Sequence, residues 1–445
     1  MAPFETAGSG CPSGLGSVAG GLPVYVPWPG KTLFETTTSF RVSPRNELPP
    51  GDLAAGIIVV PYPFSTRPQF LATAFSEIKA AWTQNLSLKA REGRVRFVLD
   101  ASAEGFQHSD QRSDCIHRGL AELGVPANLA VVLTQERNYN ADYAEYVQRN
   151  RLDSALRVLN YDLWIDRFHA QFEERGSKIF EWRLNGFKSR EKVRGRKFVS
   201  LNMTLRRTKF LFLLSLIRDN LWREGHISFG GFYRKESKFH PDHERSRSIA
   251  SIEEYLRRST VFKDITEDVV GYLPALEAKG QLIFGDVERD PDTGLPRKSP
   301  LSAMLPQYDD SWFSVVTETE MRDRPSRITE KPFAPLVNFQ PSILLGNPGA
   351  LAQIRELGYL TFGHVLDESY DSIQDPAERF LAAYSEVLRL CRMGDEKLGQ
   401  MEVELRDILV FNAKWGLTRL PKIYREVIST RLMDRIFADR RPSPN

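Results

Sequence analysis

Trp312-Phe-Ser-Val-Val-Thr317, Ile328-Thr-Glu-Lys331, Ser342-Ile-Leu-Leu345 and Gly346-Asn-Pro-Gly349 follow one another in the stretch that decides the fold. The first and third are short apolar runs bounded by turn residues, the signature of strands buried on both faces. Residues 330–339 and 349–357 read as helices. Strand, helix, strand, helix in that order argues for a parallel α/β sheet. Thr329 is a suitable N-cap, and Pro332 is tolerated in a helix's first turn. A helix that starts there leaves backbone amides unpaired, and such starts bind anions, phosphate above all. Lys331 adds a point charge at the same place, and Glu330 can accept hydrogen bonds from a sugar's hydroxyls. Gly346 and Gly349, with Asn347 between them, follow a strand and allow close backbone approach to a ligand. A capped surface helix with a solvated lysine is the plain alternative.

Working toward the N-terminus, residues 186–209 hold nine basic residues and one acidic residue, Glu191. Lys197-Phe-Val-Ser-Leu201 reads as a strand and 205–222 as a strongly apolar helix. Arg206, Arg207 and Lys209 therefore follow a strand end of the same sheet, where arginine forks suit diphosphate oxygens. A solvated helix face is the competing reading. Residues 286–300 read as a charged loop rich in Pro and Gly. Further upstream a second series appears: strands at Gly56-Ile-Ile-Val-Val-Pro61, Arg96-Phe-Val-Leu-Asp100 and Leu129-Ala-Val-Val-Leu133, with helices at 68–82 and 112–123. Asp100, Glu104 and Glu136 fall at or just after these strand ends, where open α/β sheets bind ligands.

The expected organisation is a leader and arm over 1–50, a Rossmann-like domain over 51–185, a second over 186–376 and a helical extension over 377–445 interrupted at Pro421. Two such domains leave a cleft between their facing strand-end loops.

Length and composition agree with this. The 445 residues allow two or three domains, and 41% hydrophobic with 26% charged residues exclude a disordered or collagen-like chain. Lys plus Arg number 60 against 57 Asp plus Glu, so the net charge of +3 gives no reason to expect a nucleic-acid partner. Cys11, Cys115 and Cys391 are too few and too dispersed for a disulfide framework or a four-cysteine zinc site, and they fit the reducing cytoplasm. The first 22 residues lack the features of a secretory signal. The longest apolar run, Phe210 to Ile217, is far short of the roughly 20 residues that span a membrane, so no integral membrane segment is expected.

Several motifs fail on their context. Pro29-Gly-Lys-Thr32 has Tyr25 where a P-loop needs glycine. No strand precedes Gly14-Leu-Gly16. His240-Pro-Asp-His243 lacks a third ligand, and Asp290-Pro-Asp292 is turn chemistry, so no metal is expected. No Gly-x-Ser-x-Gly elbow is present.

Glu318, followed by a loop and Ile328-Thr-Glu-Lys331, resembles the donor-site pattern of the α1,3/4-fucosyltransferase-type glycosyltransferases. The longer string from Ile328-Thr-Glu-Lys-Pro-Phe-Ala-Pro-Leu through Gln340-Pro-Ser-Ile-Leu-Leu-Gly-Asn-Pro-Gly349 is similar to a group of bacterial and viral glycosyltransferase-like proteins. Val98-Leu-Asp-Ala-Ser-Ala-Glu-Gly105, Phe198-Val-Ser-Leu-Asn202 and Asp367-Glu-Ser-Tyr-Asp371 also fit that group. The resemblance touches residues 95–385 and is dense over 312–371. It implies a GT-B architecture, a nucleotide-sugar donor held by the C-terminal domain, and inverting, metal-independent transfer, with a GDP-sugar favoured. It places Glu330 at the ribose, Lys331 at the phosphates and Arg206 or Arg207 beside the diphosphate. Two positions depart from the pattern: Thr319 replaces an asparagine, and Arg327 an aromatic residue. Fucose is therefore not implied.

Inverting transfer needs a base for the acceptor hydroxyl, charge stabilisation on the departing diphosphate and in-line positioning. Glu104 is the first candidate base, Asp100 the second and His108 the third. The acceptor could be a glycan, a protein or a small molecule. Retaining transfer, and nucleotide or glycan binding without transfer, are the alternative functions.

Overall fold

A computed structural model describes residues 23–25, 41–42, 56–61, 67–102, 106–190, 193–202, 206–232, 248–282, 284, 305–324, 326–426, 432 and 435–436. Glu104, Glu191, Cys11, Pro29–Thr32, His240–His243 and Asp290–Asp292 lie outside these residues, as do all of 286–300 and of the 1–22 leader.

The chain forms two compact units. Unit 1 comprises Met1–Ala170 with Lys422–Asn445, and unit 2 comprises Gln171–Pro421. The division falls upstream of the 185/186 boundary expected from the basic stretch. The 377–445 tail is not one extension, because its last part belongs with unit 1.

Unit 1 is built on a six-stranded parallel sheet in the order β2-β1-β3-β4-β5-β6. Its strands are β1 (Pro23–Tyr25), β2 (Arg41–Val42), β3 (Gly56–Val60), β4 (Val95–Ala101), β5 (Ala130–Thr134) and β6 (Arg157–Asn160). The helices are α1 (Pro68–Ala81), α2 (Gln84–Arg91), α3 (Asp110–Glu122), α4 (Tyr139–Asn150) and α5 (Leu163–Ala170). Part of the expected arm over 1–50 is thus sheet: β1 pairs β3 in parallel, and Val24 is fully buried. Side chains alternate along strands, so neighbouring apolar residues serve opposite faces. Ile58, Val60, Phe97, Leu99 and Val132 pack with α1 to α4. Ile57, Val59, Val98, Val131 and Leu133 pack on the other face with Leu163, Leu432 and Ile436, so the chain end closes that face. Burial on both faces is why β3 and β5 read as nearly continuous apolar runs, and why β4 carries one at Phe97–Leu99.

Unit 2 carries a four-stranded parallel sheet in the order β10-β9-β7-β8. The strands are β7 (Arg196–Asn202), β8 (Gly225–Phe229), β9 (Ser311–Thr317) and β10 (Ser342–Leu345). Its helices are α6 (Gly176–Lys188), α7 (Arg207–Arg218), α8 (Ile249–Arg257), α9 (Lys263–Val269), α10 (Leu273–Glu277), α11 (Phe333–Val337), α12 (Ala350–Glu356), α13 (Pro376–Cys391), α14 (Asp395–Lys414) and α15 (Leu420–Glu426), the last running across the boundary between the units. From β7 the chain adds β8 on one side, then crosses to place β9 and β10 on the other. The order therefore reverses between β7 and β9, the switch point at which open α/β sheets form a crevice beyond the strand ends. α7 is buried at nine of its twelve positions, which explains its all-round apolar sequence. Among the described residues no helix is long and apolar enough to cross a membrane.

Two local expectations are corrected. Pro421 does not interrupt the terminal helices; a π-helical turn over Trp415–Arg419 leads into α15, where Pro421 is second. The helix expected over 330–339 is shorter: α11 starts at Phe333, and its N-cap is Pro332 rather than Thr329.

Candidate functional site

The carboxyl ends of β7 and β9 are tied together by polar side chains. Thr317 Oγ1 donates to Asn202 Oδ1 at 2.6 Å, and Asn202 Nδ2 donates to Ser200 Oγ at 3.0 Å. Glu318, one residue beyond β9, is only 2% exposed. Its carboxylate accepts from the Thr329 N–H (2.8 Å), Thr329 Oγ1 (2.7 Å) and the Thr319 N–H (3.2 Å). A buried carboxylate requires such partners. They draw Thr329 back to the strand end, so Thr329 does not cap a helix. The short α11 offers no anion-binding start of its own. Glu318 acts as the anchor of the 327–331 loop.

That anchor sets Lys331. Its Nζ donates to Thr329 Oγ1 at 2.8 Å and to Thr319 Oγ1 at 3.2 Å, and it lies 3.9 Å from Glu318 and 3.8 Å from Glu330. Glu330 keeps about a third of its side chain exposed.

Lys209 comes to the same place from α7. It is 3% exposed, and among the described residues its ammonium has no hydrogen-bond partner. Burial first, and the like charge of Lys331 second, lower its pKa to about 7; Glu318 and Glu330 oppose this, and Arg206 adds to it. Arg206, the exposed N-cap of α7, completes the group. Tertiary structure therefore joins Arg206, Lys209, Glu318, Thr329, Glu330 and Lys331 at the β7/β9 switch point. Like charges in a poorly hydrated place are unfavourable, and an anion there would relieve them.

The remaining expected donor residues have other contacts. Arg207 donates from Nη2 to Tyr255 O at 2.9 Å and lies 4.7 Å above the Tyr255 ring, so it holds α8. Gly346 packs against Glu318: a Cβ there would lie 3.1 Å from Glu318 Cγ. Asn347 is buried and latches the loop after β9, accepting from the Arg322 N–H (2.8 Å) and donating to Arg327 O (3.2 Å). Gly349 adopts φ 71° as the cap of α12, whose start is met by Asp371; the Leu351 N–H donates to Asp371 Oδ1 at 3.1 Å. Sequence reasoning missed Arg379. It is 1% exposed and donates to Gly346 O (2.9 Å) and Gln374 O (2.9 Å). Its only sequence signal is an arginine on the apolar face of α13.

In unit 1, Asp100 lies inside β4, is fully buried and accepts from the Ser102 N–H at 3.0 Å. Glu136 is also buried beyond β5. His108 precedes α3; its Nε2 lies 2.8 Å from Ser113 Oγ, and its ring is 5.5 Å from that of Tyr139. Burial, then the positive charge of Arg112, hold its pKa below the usual histidine value. Among the described residues no group of three or more His, Cys, Asp or Glu is placed to hold a metal ion.

No protein-family model and no curated protein matches the chain. Solved structures similar to it over most of its length include the following two. The N-terminal domain of Candida albicans trehalose-6-phosphate phosphatase is 12% identical with a TM-score of 0.36, over 88% of this chain and 73% of that one. The alpha,alpha-trehalose 6-phosphate synthase of Burkholderia multivorans is 12% identical with a TM-score of 0.36, over 83% of this chain and 74% of that one. A TM-score of this size assigns neither fold nor activity.

Proposed function

We propose that this protein is a glycosyltransferase of GT-B type that binds the diphosphate of a nucleotide-sugar on unit 2 and transfers the sugar to an acceptor hydroxyl. The observation that carries the reading is Lys209. A buried lysine beside Lys331 and Arg206, at the switch point of a parallel sheet, is suited to receive a diphosphate. The resemblance of 312–371 to glycosyltransferase donor sites points to Glu330 and Lys331 at this place.

In this reading Lys209, Lys331 and Arg206 stabilise the charge that develops on the departing diphosphate, a preorganised electrostatic site that needs no metal. Glu330 meets the ribose. Glu318, Gly346, Asn347 and Arg379 are positioning residues that fix the loop carrying Lys331. Transfer is inverting, with a base from unit 1. Glu104 is the leading candidate for that base, since Asp100 is enclosed with Ser102 and His108 is bonded to Ser113.

The test is thermal shift and calorimetry with GDP, UDP, CMP and dTDP and their sugars, because a ligand that binds only the native state raises its melting temperature. At least one nucleotide should bind. Lys331→Ala should lower turnover by about 100- to 1,000-fold, the usual cost of one charge-stabilising group. If no nucleotide binds, or if Lys209→Met and Lys331→Ala both bind like the parent, the reading is wrong. Binding without donor loss against any acceptor would leave a nucleotide-binding protein.

A further inference from the structure

Unit 1 holds a group of buried polar atoms without partners at the starts of α3 and α4. We propose that the starts of α3 and α4 form an oxyanion-binding site, built on Arg112 and Tyr139, that takes a phosphate or carboxylate group.

Arg112 is the third residue of α3 and only 2% exposed, yet its Nε and Nη2 make no hydrogen bond. Tyr139, the first residue of α4, is fully buried, and its hydroxyl also has no partner. The two belong to one place, because the Arg112 guanidinium carbon lies 4.7 Å from the centre of the Tyr139 ring. Stacking engages the face of a guanidinium and leaves its in-plane N–H groups free to donate. Buried polar groups are nearly always hydrogen-bonded, so a cluster of three open donors points to a missing acceptor. Two nearby carboxylates are otherwise engaged: Asp110 pairs with Arg149 at 3.1 Å, and Asp114 accepts from Tyr146 at 2.6 Å. The first turn of the thirteen-residue α3 adds the positive end of its dipole, while the Ser109 side chain occupies the Arg112 N–H at 3.3 Å. His108 lies beside the site, its Nε2 held by Ser113.

Phosphate and carboxylate share what these donors ask for: two oxygens for the arginine fork and a negative charge. Combined with the proposed transfer, the site assigns an acceptor that bears an acidic group. That last step rests on the transfer reading, whereas the anion site does not.

The experiment is a titration of the full-length protein with inorganic phosphate and, separately, sodium acetate, at constant ionic strength with chloride as control, read by melting temperature and calorimetry. At least one anion should bind saturably. A response to phosphate alone identifies a phosphate-bearing ligand, and a response to acetate a carboxylate. Tyr139→Phe keeps the ring and removes one donor, and should weaken binding about three- to tenfold. Arg112→Met should abolish it while leaving the response to nucleotides unchanged. Tyr139→Phe serves alone should Arg112→Met fail to fold. The proposal is overturned if neither anion binds beyond chloride, or if Tyr139→Phe binds like the parent. Because nucleotide binding is measured in the same samples, failure here is distinguishable from failure of the unit 2 site.

Discussion

Lys209 shows how a single side chain couples burial, charge and binding. An ordinary lysine titrates near pH 10.4. In the folded protein Lys209 loses its proton at about pH 7, whereas in the unfolded chain it keeps it to about pH 10. Between those values unfolding takes up a proton, so this residue makes stability rise with pH by at most about 1.4 kcal/mol per unit. Below pH 7 both states are protonated and its contribution is flat. Denaturant titrations from pH 6 to 9 should show this rise in the parent and its loss in Lys209→Met; parallel curves would refute it. A bound diphosphate favours the charged ammonium, so affinity for a nucleotide-sugar should fall as pH rises above about 7. Lys209→Met should bind more weakly and without that dependence. A nucleotide-sugar is the right probe, because its diphosphate has no terminal ionisation in that range.

The basic character of 206–209 was legible in the sequence, but the division of labour within it was not. Helical geometry sends Arg207 to Tyr255 and Lys209 to Lys331. The periodicity of α7 shows a residue's face, not which distant groups line it.

At the scale of elements, the loop between β9 and α11 depends on Glu318. Glu318→Ala removes the acceptor for the Thr329 N–H and hydroxyl in a buried setting, and should cost about 2–3 kcal/mol while weakening nucleotide binding through Lys331. Equal stability and affinity in the variant would disprove the anchor role. A second element-level constraint lies where α6 meets the π-helical turn over Trp415–Arg419. A Cβ on Gly176 would come within 1.7 Å of the Leu417 carbonyl oxygen, a backbone atom that cannot swing away. Gly176→Ala should therefore lower stability by more than about 3 kcal/mol, as overpacking at a fixed contact does. An unchanged denaturation midpoint would contradict this packing.

Elements made of apolar runs were readable because the signal is local: β3, β5, β7, β9 and β10 fall within a residue or two of expectation. β6, with the sequence RVLN, and β8, with GHISF, were not, since short mixed runs at sheet edges look like loops. β1 and β2 have three and two residues, too few for any period to show. Thr329 carries all the local marks of an N-cap, but a carboxylate eleven residues earlier competes successfully for its donors.

For the whole molecule, the chain end returns to unit 1. Ile436 is fully buried against the β-sheet face formed by Val59, Val98 and Val131, and Arg157 donates from Nη1 to Ile436 O at 3.0 Å. Ile436→Ala should destabilise unit 1 by about 2–5 kcal/mol. Calorimetry should show its transition lowered with that of unit 2 unmoved, and a shift confined to unit 2 would exclude this assignment.

The sequence by itself determined the α/β class, the presence of two parallel-sheet series and the strands at their centres. Those follow from runs of apolar residues and the turns that end them, which the chain carries locally. Only the tertiary structure decided that Lys209 meets Lys331, that Glu318 and Arg379 serve the backbone, and that Leu432 and Ile436 complete the core of unit 1. The environment of a polar side chain depends on burial and on partners far away in sequence, and neither is written into its own neighbourhood.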